Sequence, residues 1–380
     1  MNQTPSLIAP TICSISAQLP VPRWTTQELL EASEHRFTDK LLVMLARLGI
    51  NSRHSVLANY PDVLFKGAEP ELAISGSALV AQATREAIEK AGIDPGEIGL
   101  VLGVTSSPSR LLPSLVCDLF IHMPEIRRDT SNLSIEYMGC SAIAKAVDCA
   151  RWFLTCQPDK YVLVCFMDAI TPLSPPLPGT YAHFSEVSSP EERQQTVNAM
   201  HGILFGDASV AMLLSAHASG PAFGPIVHLT NATACDAELG TVPDGGSDIP
   251  VVRGERREYT LSPDVTPRGT FYATSTVAQV LAQQDRLKDP KDTTRILMHT
   301  GSKRILDGLC KEFGVSPESS AVASSYRVLR NFGNTIGCSV PLMFADPEPW
   351  PEGDALMVAF GLSFSCGAGV ITVPQGGWTP

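Results

Sequence analysis

Two stretches of the chain, "IGLVLGVTSS" from Ile98 and "YVLVCFMDA" from Tyr161, are apolar over almost the whole length of a strand. A strand with one wet face alternates apolar and polar residues. A strand apolar throughout is buried on both faces, which is the condition of a parallel sheet covered by helices. A helical pattern, "GSALVAQATREAIEKAGIDP", leads into the first run, closed by Gly92 as a C-cap with Pro95 just beyond. "LSIEYMGCSAIAKAVDCARW" lies between the two runs. The order is βαβ, and the fold class is α/β.

The same order recurs later in the chain. "TTRILMHTGS" is followed by a helical segment, "KRILDGLCKEFG", then by "SYRVLRNFGNTIGCSVPLMFA" and "GDALMVAFGLSFSCGAGVITV". Val104 to Cys140 is a step of 36 positions and His299 to Asn334 one of 35, while Cys140 to Val164 and Asn334 to Val358 are both steps of 24. Two halves of one architecture are expected, residues 1–217 and 218–380, divided after "FGDASVAMLLSAH". Packed about a pseudo-twofold axis, their equivalent strand-to-helix turns converge at the centre. Cys140 and Asn334 occupy such turns, and His299 ends the preceding strand of the second half. Ligands of α/β proteins sit at the carboxyl ends of parallel strands.

Around Cys140 the pattern predicts a strand over Leu133–Tyr137, a turn at Met138 and Gly139, and a helix from Ser141 to Trp152. A thiol at a helix N-terminus faces unpaired N–H groups and the positive end of the dipole, an arrangement that lowers its pKa and makes a nucleophile. A buried packing cysteine is the alternative reading of this stretch alone. A thiol, an imidazole and a carboxamide in one place are what acyl transfer requires: a nucleophile, a proton-handling group and donors for an oxyanion.

Composition narrows the classes. The net charge of −11 argues against nucleic-acid binding, since phosphate contacts need a basic surface. Ten cysteines without a regular framework point to reduced thiols and a cytoplasmic protein. The N-terminal "MNQTPSLIAPTICSISAQLPVP" has no signal-peptide pattern, and no run reaches the ~18 apolar residues of a membrane span. Zinc spacing and a dinucleotide-binding glycine pattern are both missing from the sequence, so no metal or cofactor is expected. His183 and His201 read as surface or packing histidines, and Cys149, Cys156 and Cys338 as core packing.

At the motifs around Cys140, His299 and Asn334 the chain resembles the thiolase superfamily, in the branch of ketoacyl synthase III and the type III polyketide synthases. "EYMGCSA" is similar to the nucleophile turn of that family, "ILMHTGSKRILDGL" to its histidine motif and "RNFGNTIGCSVPLMF" to its asparagine motif; "FGDASVAMLL" and "AFGLSFSCGAGVITV" match two further landmarks. The resemblance implies a five-layer αβαβα sandwich, a homodimer, and a ketosynthase acting on acyl thioesters of an acyl carrier protein or coenzyme A. It makes Cys140 the acyl-carrying nucleophile, His299 and Asn334 the pair that holds an enolate, and the backbone N–H groups of Cys140 and Ser363 the oxyanion hole.

The chain departs from the family in two places. "HTGS" replaces the family's "HQAN" or "HPGG", and Ser363 stands where a glycine is usual. With the long segment "AITPLSPPLPGTYAHFSEVSSPEERQQTVNAMHG", read as a tunnel wall or lid or as a plain ordered loop, they suggest an enzyme of specialised metabolism, one that joins two acyl or polyketide chains to a pyrone. Arg253, Arg256 and Arg257 in "VVRGERRE" form a solvated cluster or a dock for an acidic carrier protein or coenzyme A phosphates. Two other functions remain open at this point: transfer of the Cys140 acyl group to an alcohol or amine, and a non-catalytic partner subunit.

Overall fold

The computed structural model describes residues 7–242, 259–362 and 364–380. Nine strands form the main sheet: β1 Thr11–Gln18, β2 Ile98–Thr105, β3 Ser131–Glu136, β4 Tyr161–Asp168, β5 Ala208–Ser215, β6 Ala222–Thr230, β7 Arg295–Met298, β8 Gly353–Gly361 and β9 Ser365–Val373. Their order is β7-β8-β9-β6-β1-β5-β4-β2-β3. A single pairing, Thr11 with Ala222, joins β1 to β6. On either side of it lie two half-sheets with the same plan: β2 is parallel to β4 as β7 is to β8, β5 is antiparallel to β4 as β9 is to β8, and β1 edges the first as β6 edges the second.

Each half-sheet is therefore mixed, where the apolar runs predicted parallel pairing throughout. Burial on both faces is what those runs encode, and here the layering supplies it for parallel and antiparallel pairs alike. Helices α1 Gly76–Ala91 and α2 Leu115–His122 cover the outer face of the first half-sheet. Helices α3 Ala142–Cys156 and, later in the chain, α8 Ser339–Phe344 fill the space between the half-sheets. The outer face of the second is covered by α5 Val265–Ala282 and α6 Lys303–Phe313. The result is the layered αβαβα arrangement that the resemblance implies. Alternation along β8 makes the layering explicit: Ala355, Met357 and Ala359 enter the central core, while Leu356, Val358 and Phe360 enter the outer one. Three short helices, Thr26–Ala32, Asp39–Ala46 and Tyr60–Lys66, place Leu29, Leu41 and Leu64 in that same outer core.

One difference between the halves shapes the site. Where β3 precedes the Cys140 turn, a helix, α7 Ala323–Phe332, precedes the Asn334 turn. Its buried residues, Ser324, Ser325, Val328 and Leu329, fall at helical spacing and lay one face against the core. Helix α4 Pro190–Leu204, begun by a capping box at Ser189 and Glu192, belongs to the long segment read as a lid or loop.

The layering predicts contrasting costs of truncation. Leu356→Ala, in the outer core, should lose about 2–5 kcal/mol by urea unfolding. Val21→Ala, at a position that is 94% exposed, should change stability by less than about 0.5 kcal/mol.

Candidate active site

Cys140 lies in a single 3-10 turn, Gly139–Ser141, between β3 and α3. Tyr137 and Gly139 take positive φ of 58° and 57°, turning the chain back from the sheet. The turn is tied down at both ends: Gly139 N–H donates to Ser106 Oγ (3.1 Å) and Ser141 Oγ to the Met138 carbonyl (3.1 Å). Gly361, at the end of β8, passes directly over the nucleophile turn. A Cβ there would stand 2.6 Å from the Cys140 nitrogen and 3.1 Å from its Cβ, a space only glycine leaves open.

His299 follows β7, and its N–H donates to the Val358 carbonyl (3.1 Å), extending the pairing with β8 by one residue. Its ring meets the Phe360 ring edge-on at 5.6 Å. Phe360 immediately precedes Gly361, so β8 carries the imidazole and the cover of the thiol on neighbouring residues. Nδ1 of His299 is buried without a hydrogen-bond partner. Burial pulls this imidazole down to about 3, so it is neutral at working pH.

Asn334 sits between Gly333, at φ 71°, and Ile336, at φ 46°. Its backbone N–H donates to the Leu204 carbonyl (3.0 Å) and its carbonyl accepts from Gly206 N–H (3.2 Å), which fastens the turn to the end of α4. The side-chain oxygen accepts from Ile336 N–H (3.0 Å), leaving the NH2 end of the amide as the donor for a ligand.

Further bonds close these contacts into a ring. Thr300 Oγ1, beside His299, donates to Ser339 Oγ (2.9 Å), which lies 3.2 Å from Thr335 Oγ1, beside Asn334. Asp168, the last residue of β4, accepts from Ser106 N–H (2.7 Å) on the Cys140 side and from Gly337 N–H (2.7 Å) on the Asn334 side. Cys140, His299 and Asn334, all buried, are thereby gathered in one locus at the centre of the molecule.

Beside them stands a wall that is aromatic and partly polar. His201 packs on Phe205 (4.7 Å between ring centroids) and on Tyr259 (5.7 Å), and its Nδ1 lies 3.2 Å from Ser174 Oγ. Burial lowers His201 to about 4. The phenol of Tyr259 is pushed up by burial and then by the negative charge Cys140 would carry, which puts the two in electrostatic contact.

Several expectations need correction. The thiol of Cys140 is raised well above its ordinary value, first by burial and then by Asp168; its own backbone N–H lowers it by less. The sulfur sits before the α-helix begins, over a carboxylate, so the expected lowering by the helix N-terminus is outweighed. Cys338 does pack in the central core, as expected, from the 3-10 turn Ile336–Cys338, where its thiol donates to the Ala208 carbonyl. Cys156 is exposed rather than in the core, because it ends α3, while half-buried Cys149 packs against the central core as expected. Ser363, Arg253, Arg256 and Arg257 lie outside the described residues. Among the described residues no group of acidic, histidine and cysteine side chains could hold a metal ion, and no helix is long and apolar enough to cross a membrane.

Sequence reasoning missed Asp168, Gly361 and Tyr259. Asp168 had a signal, an acid closing an apolar strand. Tyr259 had none, since its neighbours in space are remote in sequence.

Known proteins supply the class. Residues 12–174 match a family model described as FAE1/Type III polyketide synthase-like protein, and residues 284–373 match 3-Oxoacyl-[acyl-carrier-protein (ACP)] synthase III C terminal. The beta-ketoacyl-[acyl-carrier-protein] synthase III of Nitratidesulfovibrio vulgaris is 25% identical over 301 residues, covering 76% of this chain and 81% of its own. In fold, the type III polyketide synthase domain of Steely1 from Dictyostelium superposes with a TM-score of 0.76 at 18% identity, over 96% of this chain and 99% of that one. The 3-oxoacyl-(acyl carrier protein) synthase III of Pseudomonas aeruginosa gives 0.71 at 17% identity, over 97% and 99%. The protein is a thiolase-like condensing enzyme of the acyltransferase class. It is similar to the branch that holds ketoacyl synthase III and the type III polyketide synthases.

The two buried imidazoles carry a pH prediction. In the unfolded chain a histidine titrates near 6.5, while His299 and His201 stay unprotonated down to about 3 and 4. The unfolded state therefore binds more protons between pH 6.5 and 4, and stability falls as pH drops through that window. At pH 5 each contributes a loss of roughly 2 kcal/mol. Asp168 and Asp207, raised by burial to about 6, bind protons in the folded state over the same window and offset part of this fall. The check is therefore the comparison of urea midpoints from pH 7 to 5, in which His201→Phe should lose less stability than wild type.

Proposed function

We propose that this condensing enzyme carries an acyl group on Cys140 and joins it through a carbon–carbon bond to a second acyl thioester. What supports this reading most is the ring of contacts that gathers thiol, imidazole and carboxamide into one buried locus. In the first step the Cys140 sulfur attacks the donor thioester and the carrier thiol departs. Because burial and Asp168 keep the thiol protonated, its proton leaves as the sulfur–carbon bond forms, passing to the departing sulfur directly or by way of neutral His299. The N–H of Cys140, and in this reading that of Ser363, receive the oxyanion.

In the second step His299 and Asn334 donate to the carbonyl oxygen of the incoming thioester as it becomes an enolate, by loss of carbon dioxide or of a proton. The enolate carbon attacks the acyl carbonyl, and the Cys140 sulfur leaves and regains a proton. Neutral donors suit this step, because they stabilise the developing charge without holding the substrate in an ion pair beforehand. The thioester is carried by coenzyme A or an acyl carrier protein, steered by the arginines at 253, 256 and 257.

The wall of His201 and Tyr259 beside the thiol gives this side of the site a partly polar lining, which supports an oxygenated, polyketide-like chain over a plain hydrocarbon. Two such 3-oxoacyl chains joined head to tail can close to a pyrone. The working unit in this reading is a cytoplasmic homodimer. The unpaired edge of β3, with Leu133 exposed on it and Leu111 and Leu112 exposed on the loop after β2, supports a second copy docking there.

Intact mass after incubation with an acyl thioester tests the core of this reading. Wild-type protein should gain one acyl group, and Cys140→Ala none. His299→Ala and Asn334→Ala should still acylate but lose condensation with a second thioester by about 100-fold or more. An acylated wild type that forms only an ester or amide with an added alcohol or amine, and no carbon–carbon product, would reject the ketosynthase in favour of simple acyl transfer. Charge reversal at Arg256 and Arg257 should raise KM for carrier-bound substrate and leave small thioester mimics unaffected.

A further inference from the structure

We infer that Lys145 is a positioning residue for acyl transfer at Cys140, acting through the end of the β8–β9 hairpin that crosses the thiol. The inference rests on the reading of Cys140 as the acylated group. Lys145 lies on α3, five residues beyond Cys140, and its Nζ donates to Ser365 Oγ at 2.6 Å. Ser365 is buried and opens β9, where it pairs in register with Gly361 on β8. Gly361 in turn presses on the backbone of Cys140. The path from Cys140 along α3 to Lys145, across to Ser365, over to Gly361 and back to Cys140 is a closed loop.

A lysine is a poor choice for that position on other grounds. It stands in the second turn of α3, where the positive end of the dipole disfavours a cation, and it is half-buried, which disfavours the charge again. The negative charge of Asp148, three residues further along α3, offsets only part of this. The charge-assisted bond to Ser365 is what holds it, and the effect of that bond is to set the distance between the nucleophile turn and the strand end above it. Thr230 Oγ1, 3.4 Å from Ser365 Oγ, steadies the same hydroxyl from β6.

Acyl transfer is sensitive to this distance because the Cys140 N–H must point at the oxyanion rather than at the Gly361 backbone, and displacements well under 1 Å weaken such a donor. Alkylation of the same sulfur by iodoacetamide proceeds at a saturated carbon and develops no oxyanion. Lys145→Met should therefore slow single-turnover acylation of Cys140 by roughly 10- to 100-fold with KM for the thioester changed by less than about 2-fold. Its alkylation rate should stay near that of wild type. Ser365→Ala should reproduce this split, and Lys145→Arg should restore most of the acylation rate. Acylation of Lys145→Met at the wild-type rate would overturn the inference. So would an equal fall in acylation and alkylation, which would make Lys145 a determinant of thiol ionisation or of folding. A wild-type protein that forms no adduct at all would instead overturn the acyl-enzyme reading on which the inference rests.

Discussion

Asp168 accepts hydrogen bonds from Ser106 N–H, Ser107 Oγ and Thr105 Oγ1 at the end of β2, and from Gly337 N–H in the turn that follows Asn334. It forms no salt bridge among the described residues, so dipoles alone compensate its charge. Burial raises this carboxyl to about 6 against the pull of those donors. The two turns that carry Cys140 and Asn334 come from different half-sheets, and nothing in their own sequences forces them together. A buried acid that needs donors from both sides does, because separating the turns would strand a carboxylate in the core.

Burial sets the electrostatic character of the site, and at Cys140 the same carboxylate adds to it. Burial favours the thiol form of Cys140 and the neutral imidazole of His299 over a thiolate–imidazolium pair. A site of this kind gives up intrinsic nucleophilicity at rest and gains protection, since a buried protonated sulfur is a poor target for oxidants and alkylating agents. Its chemistry depends on moving one proton at the moment of attack, over a short path that desolvation by the substrate itself shortens further.

Much of the architecture was legible because two-face burial leaves a plain mark: the apolar runs at Ile98 and Tyr161 are strands, Gly92 and Gly314 cap helices in the left-handed conformation, and the repeated spacing reflects two half-sheets with one plan. The identity of Cys140, His299 and Asn334 as neighbours followed from that repetition. Other features left no trace. The antiparallel pairing of β5 and β9 was hidden because burial, not polarity of pairing, determines composition. The thiol's raised pKa was hidden because it depends first on burial and then on a carboxylate 28 positions away in sequence. Helix α7 replaces a strand through the spacing of Ser324, Ser325, Val328 and Leu329, a pattern too short to separate from a strand-to-turn passage by eye.

That replacement makes the two ends of the sheet unlike. At one end β3 offers an unpaired edge; at the other the short β7 lies against α7 and the chain leading into it, so its outer side is sheltered. A sheet with two bare rims can add copies at both and grow without limit. With one rim, a molecule can meet only a like rim on a single neighbour, and the pair that results has no strand left to offer. If copies pair through the rim left bare among the described residues, as the proposed homodimer does, the asymmetry that gives the second half its asparagine turn also makes sheet growth self-terminating.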